Sequence, residues 1–241
     1  MHRRRLALVF GNDDYSGKYK LQSCIKDAND MTVALTNLGF DCMKYHNSNK
    51  RQMECAIRDF RARIMNNDCI VIYFSGHGME VQRENYLVPI ETLYDPEFDC
   101  ISLDTMLKVL NCSGNNLLHI IILDACRADE ANDAWKTKAS NEELYLTPAF
   151  GKALTSHIRI PNESQFALIF SSDPGTVSFA GKPGGNSFFT SVLLNHLTTS
   201  ELEFHGMMRQ VGKEILQKSS NKQRPWLYSC LTEEFYFNQG L

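Results

Sequence analysis

Apolar residues fall along this chain in two rhythms. Unbroken runs, RLALVF (5–10), CIVIYF (69–74), LLHIIIL (117–123) and FALIF (166–170), have the length and branched content of strands buried on both faces. Between them apolar positions recur at three- and four-residue intervals. Ala28, Met31, Leu35 and Leu38 mark one helical face, beginning at Asp27 and stopped by Gly39. Met53, Ile57, Phe60 and Ile64 mark a second. SLDTMLKVL (102–110), NSFFTSVLLNHL (186–197) and GMMRQVGKEILQK (206–218) predict three further helices. FDCMKYH (40–46) alternates and predicts an edge strand, and EEFYF (233–237) a closing strand. Strands alternating with helices predict an α/β fold: a mostly parallel sheet covered on both faces, a three-layer sandwich. Residues 129–164, polar and charged around EANDAWKTKASNEEL, keep neither rhythm and predict one long loop. There is no internal repeat.

Composition narrows the class. With 241 residues, 43% of them hydrophobic, the chain can bury one sizeable core. Its 25 basic and 28 acidic residues leave a net charge of −3, which argues against nucleic acid as a partner. The basic cluster HRRR reads as a solvated terminus. Only five apolar residues, LALVF, follow it, too few for a signal-peptide core or a membrane span. The eight cysteines include no C-x-x-C pair, so a reduced, cytoplasmic chain is expected rather than a disulfide framework. The abrupt start suggests an excised domain.

The candidate chemistry stands at two strand ends. VIYFSGHGMEV places His77 between two glycines, three residues beyond one apolar run. LLHIIILDACRA places Cys126 three residues beyond another. Ligands of parallel sheets bind at the carboxyl ends of strands, where both residues are expected on loops beyond the sheet. A nearby imidazole converts a thiol to the nucleophilic thiolate and later protonates a leaving amine. Gly76 and Gly78 would allow close substrate approach and offer a main-chain N–H to an oxyanion. The other histidines invite blander readings. His119 lies inside a strand, His196 on a helix, and His2 and His46 near exposed ends.

These residues carry a resemblance to the caspase-like cysteine peptidases, the broad group of caspases, paracaspases and metacaspases. A strand followed by His-Gly and a second followed by Asp-Ala-Cys, 49 residues later, matches the group's spacing. The likeness extends through ALVFGNDDY, LQSCIKDANDM, NYLVP, FSSDPGTVSF, GNSFFTSVLLNHL and the closing FYF. It implies one peptidase domain with large-subunit-like residues 1–128, a linker at 129–164 and small-subunit-like residues 165–241. It also implies a His77–Cys126 dyad, with the N–H groups of Gly78 and Cys126 as oxyanion hole. The linker, often cut during activation in this group, offers Lys136, Lys138 and Arg159.

The pocket departs from caspases proper. Their signature reads Gln-Ala-Cys-Arg-Gly, whereas this chain reads DACRA. Asp124, two residues before the nucleophile, would repel an acidic substrate side chain and pair with a basic one. In this respect the chain resembles paracaspases and metacaspases, which cleave after basic residues. On that resemblance Asp27 is the second pocket acid and Ser75 and Cys24 are further lining residues. Asp27 could equally cap its own helix. The third paracaspase acid is replaced by Ala180, and the calcium-binding cluster of many metacaspases is reduced to Asp104, with Glu84 nearby, so no cofactor is expected. The expected function is cleavage of proteins or peptides after arginine or lysine. Homodimers and flanking adaptor domains are the implied partners. Two alternatives stay open: a catalytically silent caspase-like scaffold, and a flavodoxin-like signalling module. GNDDYSG is too acidic for the phosphate loop that the second would need.

Overall fold

The computed structural model describes residues 3–81, 84–91, 96–110, 116–126, 135–136, 145–146, 165–172, 178–182 and 184–240. In chain order its elements are β1 (Arg5–Gly11), α1 (Cys24–Asn37), β2 (Asp41–His46), α2 (Lys50–Arg63), β3 (Cys69–Val81), β4 (Glu84–Leu87), α3 (Pro96–Asp99), β5 (Ile101–Ser102), α4 (Leu103–Leu110), β6 (Leu118–Cys126), β7 (Trp135–Lys136), β8 (Tyr145–Leu146), β9 (Gln165–Phe170), α5 (Phe188–Leu197), α6 (Phe204–Lys218) and β10 (Trp226–Ser229). The main sheet runs β10-β9-β6-β3-β1-β2 and is parallel except for β10, which lies antiparallel to β9. The four apolar runs are its central strands, as their pattern predicts.

Alternation along each strand divides those runs between two cores. Leu8, Phe10, Ile72, Phe74 and Ile121 pack against α2 and α4 through Met53, Phe60 and Met106. Val9, Val71, Tyr73, Ile120 and Ile122 pack against α1, α5 and α6 through Met31, Phe189, Val192 and Val211. Phe60 is fully buried, and its truncation to alanine would cost about 3–5 kcal/mol.

Helix boundaries follow capping rather than the first apolar residue. A reciprocal box between Asn49 and Gln52 starts α2 at Lys50, ahead of its first anchor Met53. Helix α1 starts at Cys24, one turn before the expected Asp27, where the Asp13 carboxylate accepts from the Ile25 N–H at 3.4 Å. Gly11 permits this approach. A Cβ there would lie 2.5 Å from the Cys24 carbonyl oxygen and 2.7 Å from the Ala28 Cβ.

Two expectations are corrected. EEFYF is not a strand; the last strand is WLYS (226–229), and the closing residues make one isolated bridge, Glu203 to Tyr236. Phe235 and Phe237 instead pack on Phe204 of α6. The Arg5 guanidinium donates to the carbonyls of Tyr236 and Phe237 and lies over the Phe235 ring. Side-chain packing, a cation and two main-chain bonds, from the Phe204 N–H to the Phe235 carbonyl and from the Glu201 N–H to the Asn238 carbonyl, hold this segment without an extended ladder. Within the expected loop, β7 and β8 pair as an antiparallel ribbon. Lys138 and Arg159 lie outside the described residues.

Candidate active site

Strands β3 and β6 continue past their apolar runs. β3 passes through Ser75, Gly76, His77 and Gly78, and β6 through Asp124 and Ala125 to Cys126. Their register pairs Ser75 with Asp124, Gly76 with Ala125, and His77 with Cys126. The expectation that both reactive residues stand on loops is thereby corrected: the ladder itself holds these polar ends. Period-two alternation carries the row Val71, Tyr73 on to Ser75 and His77, and Ile120, Ile122 on to Asp124 and position 126. The sheet face that packs α1 and α5 thus turns polar over its last two rows.

His77 is 4% exposed. Its ring lies 4.5 Å from that of Tyr15, centroid to centroid, and its Nε2 lies 2.7 Å from the carbonyl oxygen of Tyr19. A carbonyl only accepts, so Nε2 carries the hydrogen, and Nδ1 holds the basic lone pair of the neutral ring. The Tyr15 hydroxyl is inserted into the β3–β4 ladder. It accepts from the His77 N–H at 3.0 Å and donates to the Val88 carbonyl at 2.9 Å. Gly76 makes room for it, since a Cβ there would lie 2.7 Å from that oxygen. Tyr15, rather than a substrate, occupies the space this glycine opens. The Val88 N–H donates to the His77 carbonyl at 3.0 Å. The adjacent pair Gly78–Leu87 is therefore of the kind that does not exchange hydrogen bonds. This turns the Gly78 N–H away from β4 and toward the β6 side, where Cys126 ends its strand.

One row behind, two carboxylates are completely buried. Asp124 Oδ2 accepts from Thr190 Oγ1 at 2.7 Å and from Ser187 Oγ, and its Oδ1 accepts from Ser178 Oγ at 3.4 Å. Asp27 Oδ1 accepts from the Ser187 N–H at 3.0 Å, and its Oδ2 from Ser75 Oγ at 3.3 Å. Asp27 does satisfy a helix N-terminus, but that of α5 rather than its own. Among the described residues neither acid is paired with a lysine or arginine. Burial first, then the charge of Asp124, pushes Asp27 up to about 7, against the lowering pull of the Ser187 N–H. Burial also raises Asp124, opposed by its hydroxyl donors.

Cys24 is buried one helical turn before Asp27, and Ala180 is exposed. Asp104 is paired with Lys108 at 3.2 Å, and Glu84 accepts from the Tyr86 hydroxyl at 2.9 Å. Among the described residues no three His, Cys, Asp or Glu side chains gather as a metal site, and no helix is long and apolar enough to cross a membrane. His119 is buried, and His196 contacts Glu214 at 2.8 Å. Sequence reasoning missed Tyr15, Tyr19, Ser187 and Thr190. Only the last pair left a trace, hydroxyls at the start of a helix in NSFFTS.

Comparison with known proteins bears on the family and the fold. The profile of the caspase domain family matches residues 4–236. Caspase-12 of Macaca mulatta is 27% identical over 79% of this chain and 47% of its own length, and caspase-1 of Rattus norvegicus 25% identical over 99% and 60%. The human mucosa-associated lymphoid tissue lymphoma translocation protein 1 is 26% identical over 51% of this chain and 15% of its own length. The chain therefore spans less than two thirds of these relatives. In fold it is similar to the crystal structure of caspase-1 from Spodoptera frugiperda, with a TM-score of 0.66 and 16% identity over 98% of this chain and 90% of that one. A mostly parallel sheet between helices, with histidine and cysteine at neighbouring strand ends and a match across nearly the whole length, makes this chain a member of the caspase-like cysteine peptidase family.

Proposed function

We propose that this chain is a cysteine endopeptidase that cleaves after a basic residue, arginine above lysine. In this reading His77 Nδ1 takes the proton of Cys126, and the thiolate attacks the substrate carbonyl to form a tetrahedral oxyanion. The N–H groups of Gly78 and Cys126 stabilise that oxyanion. Its collapse breaks the peptide bond, the His77 imidazolium protonates the leaving amine, and water then hydrolyses the acyl-enzyme. The Tyr19 carbonyl keeps the imidazole in the tautomer that this sequence needs.

The observation that carries the specificity is the buried acid pair one row behind His77 and Cys126, with no cation of the described chain to neutralise it. Two carboxylates buried together are unfavourable, and an entering guanidinium would relieve both. Ser75, opposite Asp124 in the ladder and donating to Asp27, lines the same pocket, and Cys24 completes the lining from α1. No metal enters this reading, so turnover should survive chelation. Homodimers, flanking adaptor domains and a cytoplasmic location belong to the same proposal.

A panel of fluorogenic peptides differing only at the residue before the scissile bond tests it. Arginine should be cut fastest and lysine next, with aspartate untouched. Equal cleavage after aspartate and arginine would remove the specificity, and no cleavage of any peptide would favour the silent scaffold.

A further inference from the structure

Asp124 is held unevenly. Both donors on its Oδ2 are themselves oriented by a second partner. The Tyr73 hydroxyl lies 2.5 Å from Thr190 Oγ1, and because Thr190 gives its own hydrogen to Asp124 at 2.7 Å, it accepts the one from Tyr73. Ser187 Oγ likewise accepts from the Thr190 N–H at 3.0 Å while donating to Asp124. Tyr73 and Thr190 are both completely buried. Among the described residues Oδ1 accepts from Ser178 Oγ at 3.4 Å, a longer contact, with the Ser171 hydroxyl close behind it. Asp27 accepts from the Ser187 N–H at 3.0 Å on one oxygen and from Ser75 Oγ at 3.3 Å on the other, with the Asn186 side chain also acting on it. Asp124 is thus held closely through Oδ2, from α5, and more loosely through Oδ1.

We propose that Thr190, oriented by Tyr73, is a positioning residue for substrate selection: it pins Oδ2 of Asp124 and leaves Oδ1 for the incoming basic side chain. The inference rests on the reading of Asp27 and Asp124 as the substrate pocket. A carboxylate free to turn can follow lysine's point charge wherever it settles. One fixed at a single oxygen offers a defined plane, which suits arginine's planar fork. Tyr73 touches no ligand in this scheme and acts through Thr190. The arrangement spans β3, β6 and α5, so the sheet and the helix layer jointly set the angle of the acid.

Thr190→Val removes the hydroxyl at constant shape. It should lower kcat/KM for arginine peptides about tenfold, chiefly through KM, and shrink the arginine-to-lysine ratio. Thr190→Ser should restore both. Tyr73→Phe should give a smaller effect of the same kind, and the double variant should be no worse than Thr190→Val alone. Alkylation of Cys126 by a small neutral reagent should be unchanged throughout. An unchanged KM in folded Thr190→Val, failed rescue by serine, or full additivity of the two changes would overturn the positioning role. If Thr190→Val does not fold, an unchanged arginine KM in Tyr73→Phe overturns it. Normal arginine KM in Thr190→Val beside an impaired Asp124→Asn would remove this inference alone. Normal arginine cleavage by Asp124→Asn would remove the pocket itself.

Discussion

The imidazole of His77 and the main-chain carbonyl of Tyr19 meet at 2.7 Å, so the histidine is oriented by a group that no side-chain substitution deletes. The loop after β1 supplies this contact, and the loop's own position is held by Asp13 at the start of α1. Cys126→Ala and His77→Ala should each abolish peptidase activity, measured on an arginine peptide. They should differ in stability. The His77 ring is nearly buried against Tyr15, so its truncation should cost about 1–3 kcal/mol in a urea melt. Thiol to methyl is a small change, and Cys126→Ala should melt close to wild type. Near-normal turnover of Cys126→Ala would refute the nucleophile.

Asp27→Asn and Asp124→Asn each remove half of the proposed cation site. Losing one partner of a buried charged pair costs about 2–5 kcal/mol, so kcat/KM for arginine peptides should fall at least about thirtyfold. Reaction of Cys126 with a small uncharged alkylating agent should change far less, which separates pocket from dyad. The variants should also differ from each other. An amide NH2 at position 124 would face hydroxyls that now donate, so Asp124→Asn should melt lower than Asp27→Asn. Equal alkylation losses and cleavage losses would show that the acids serve the nucleophile instead.

Most of the sheet was legible because its central strands are apolar on both faces, and such runs have few other stable placements. The pairing of His77 with Cys126 was legible for a related reason: residues at the ends of two apolar runs are brought together by parallel pairing. What stayed hidden was tertiary. WLYS carries no alternation of its own, and it pairs because β9 offers an edge. EEFYF has strand-like residues but meets α6 and Arg5 instead. Tyr15 and Tyr19 act through a hydroxyl in a ladder and a main-chain carbonyl, and neither role leaves a mark on residue type. The acid pair was legible as a resemblance, whereas its hydroxyl donors on α5 depended on packing between distant segments.

The acid pair should make cation binding a proton-releasing event. Burial and the charge of Asp124 raise Asp27 from 3.8 to about 7, so near neutrality the pair retains proton that an exposed carboxylate would have lost. A bound guanidinium favours the charged form and expels that proton. Calorimetry of Cys126→Ala with an arginine peptide at pH 7, in buffers of different ionisation enthalpy, should report net proton release on binding. In the same background Asp27→Asn should release less, because only Asp124 is left to discharge. Proton uptake, or equal release from both proteins, would contradict the assignment.

Stability against pH should show two buried groups working in opposition. His119 sits inside β6 with its Nε2 buried and, among the described residues, without a hydrogen-bond partner, and burial lowers it to about 4 from 6.5. The unfolded chain therefore takes up a proton that the folded protein refuses. From this residue stability is full above about 6.5, falls as pH drops, and levels off below about 4, a loss of about 3 kcal/mol. Asp27 runs the other way. Its raised carboxyl contributes stability that is full below about 4 and is lost as pH rises through 7. Across the shared window the two slopes partly cancel in the wild type. His119→Leu should leave a protein whose urea midpoint rises on acidification from pH 7 to 4.5, and Asp27→Asn one whose midpoint falls more steeply than wild type. His119 lies near the amino end of β6 and Asp27 at the sheet's opposite end, so their double variant should show the sum of the two changes. A His119→Leu profile parallel to wild type would mean that the histidine takes up its proton alike in the folded and unfolded chain.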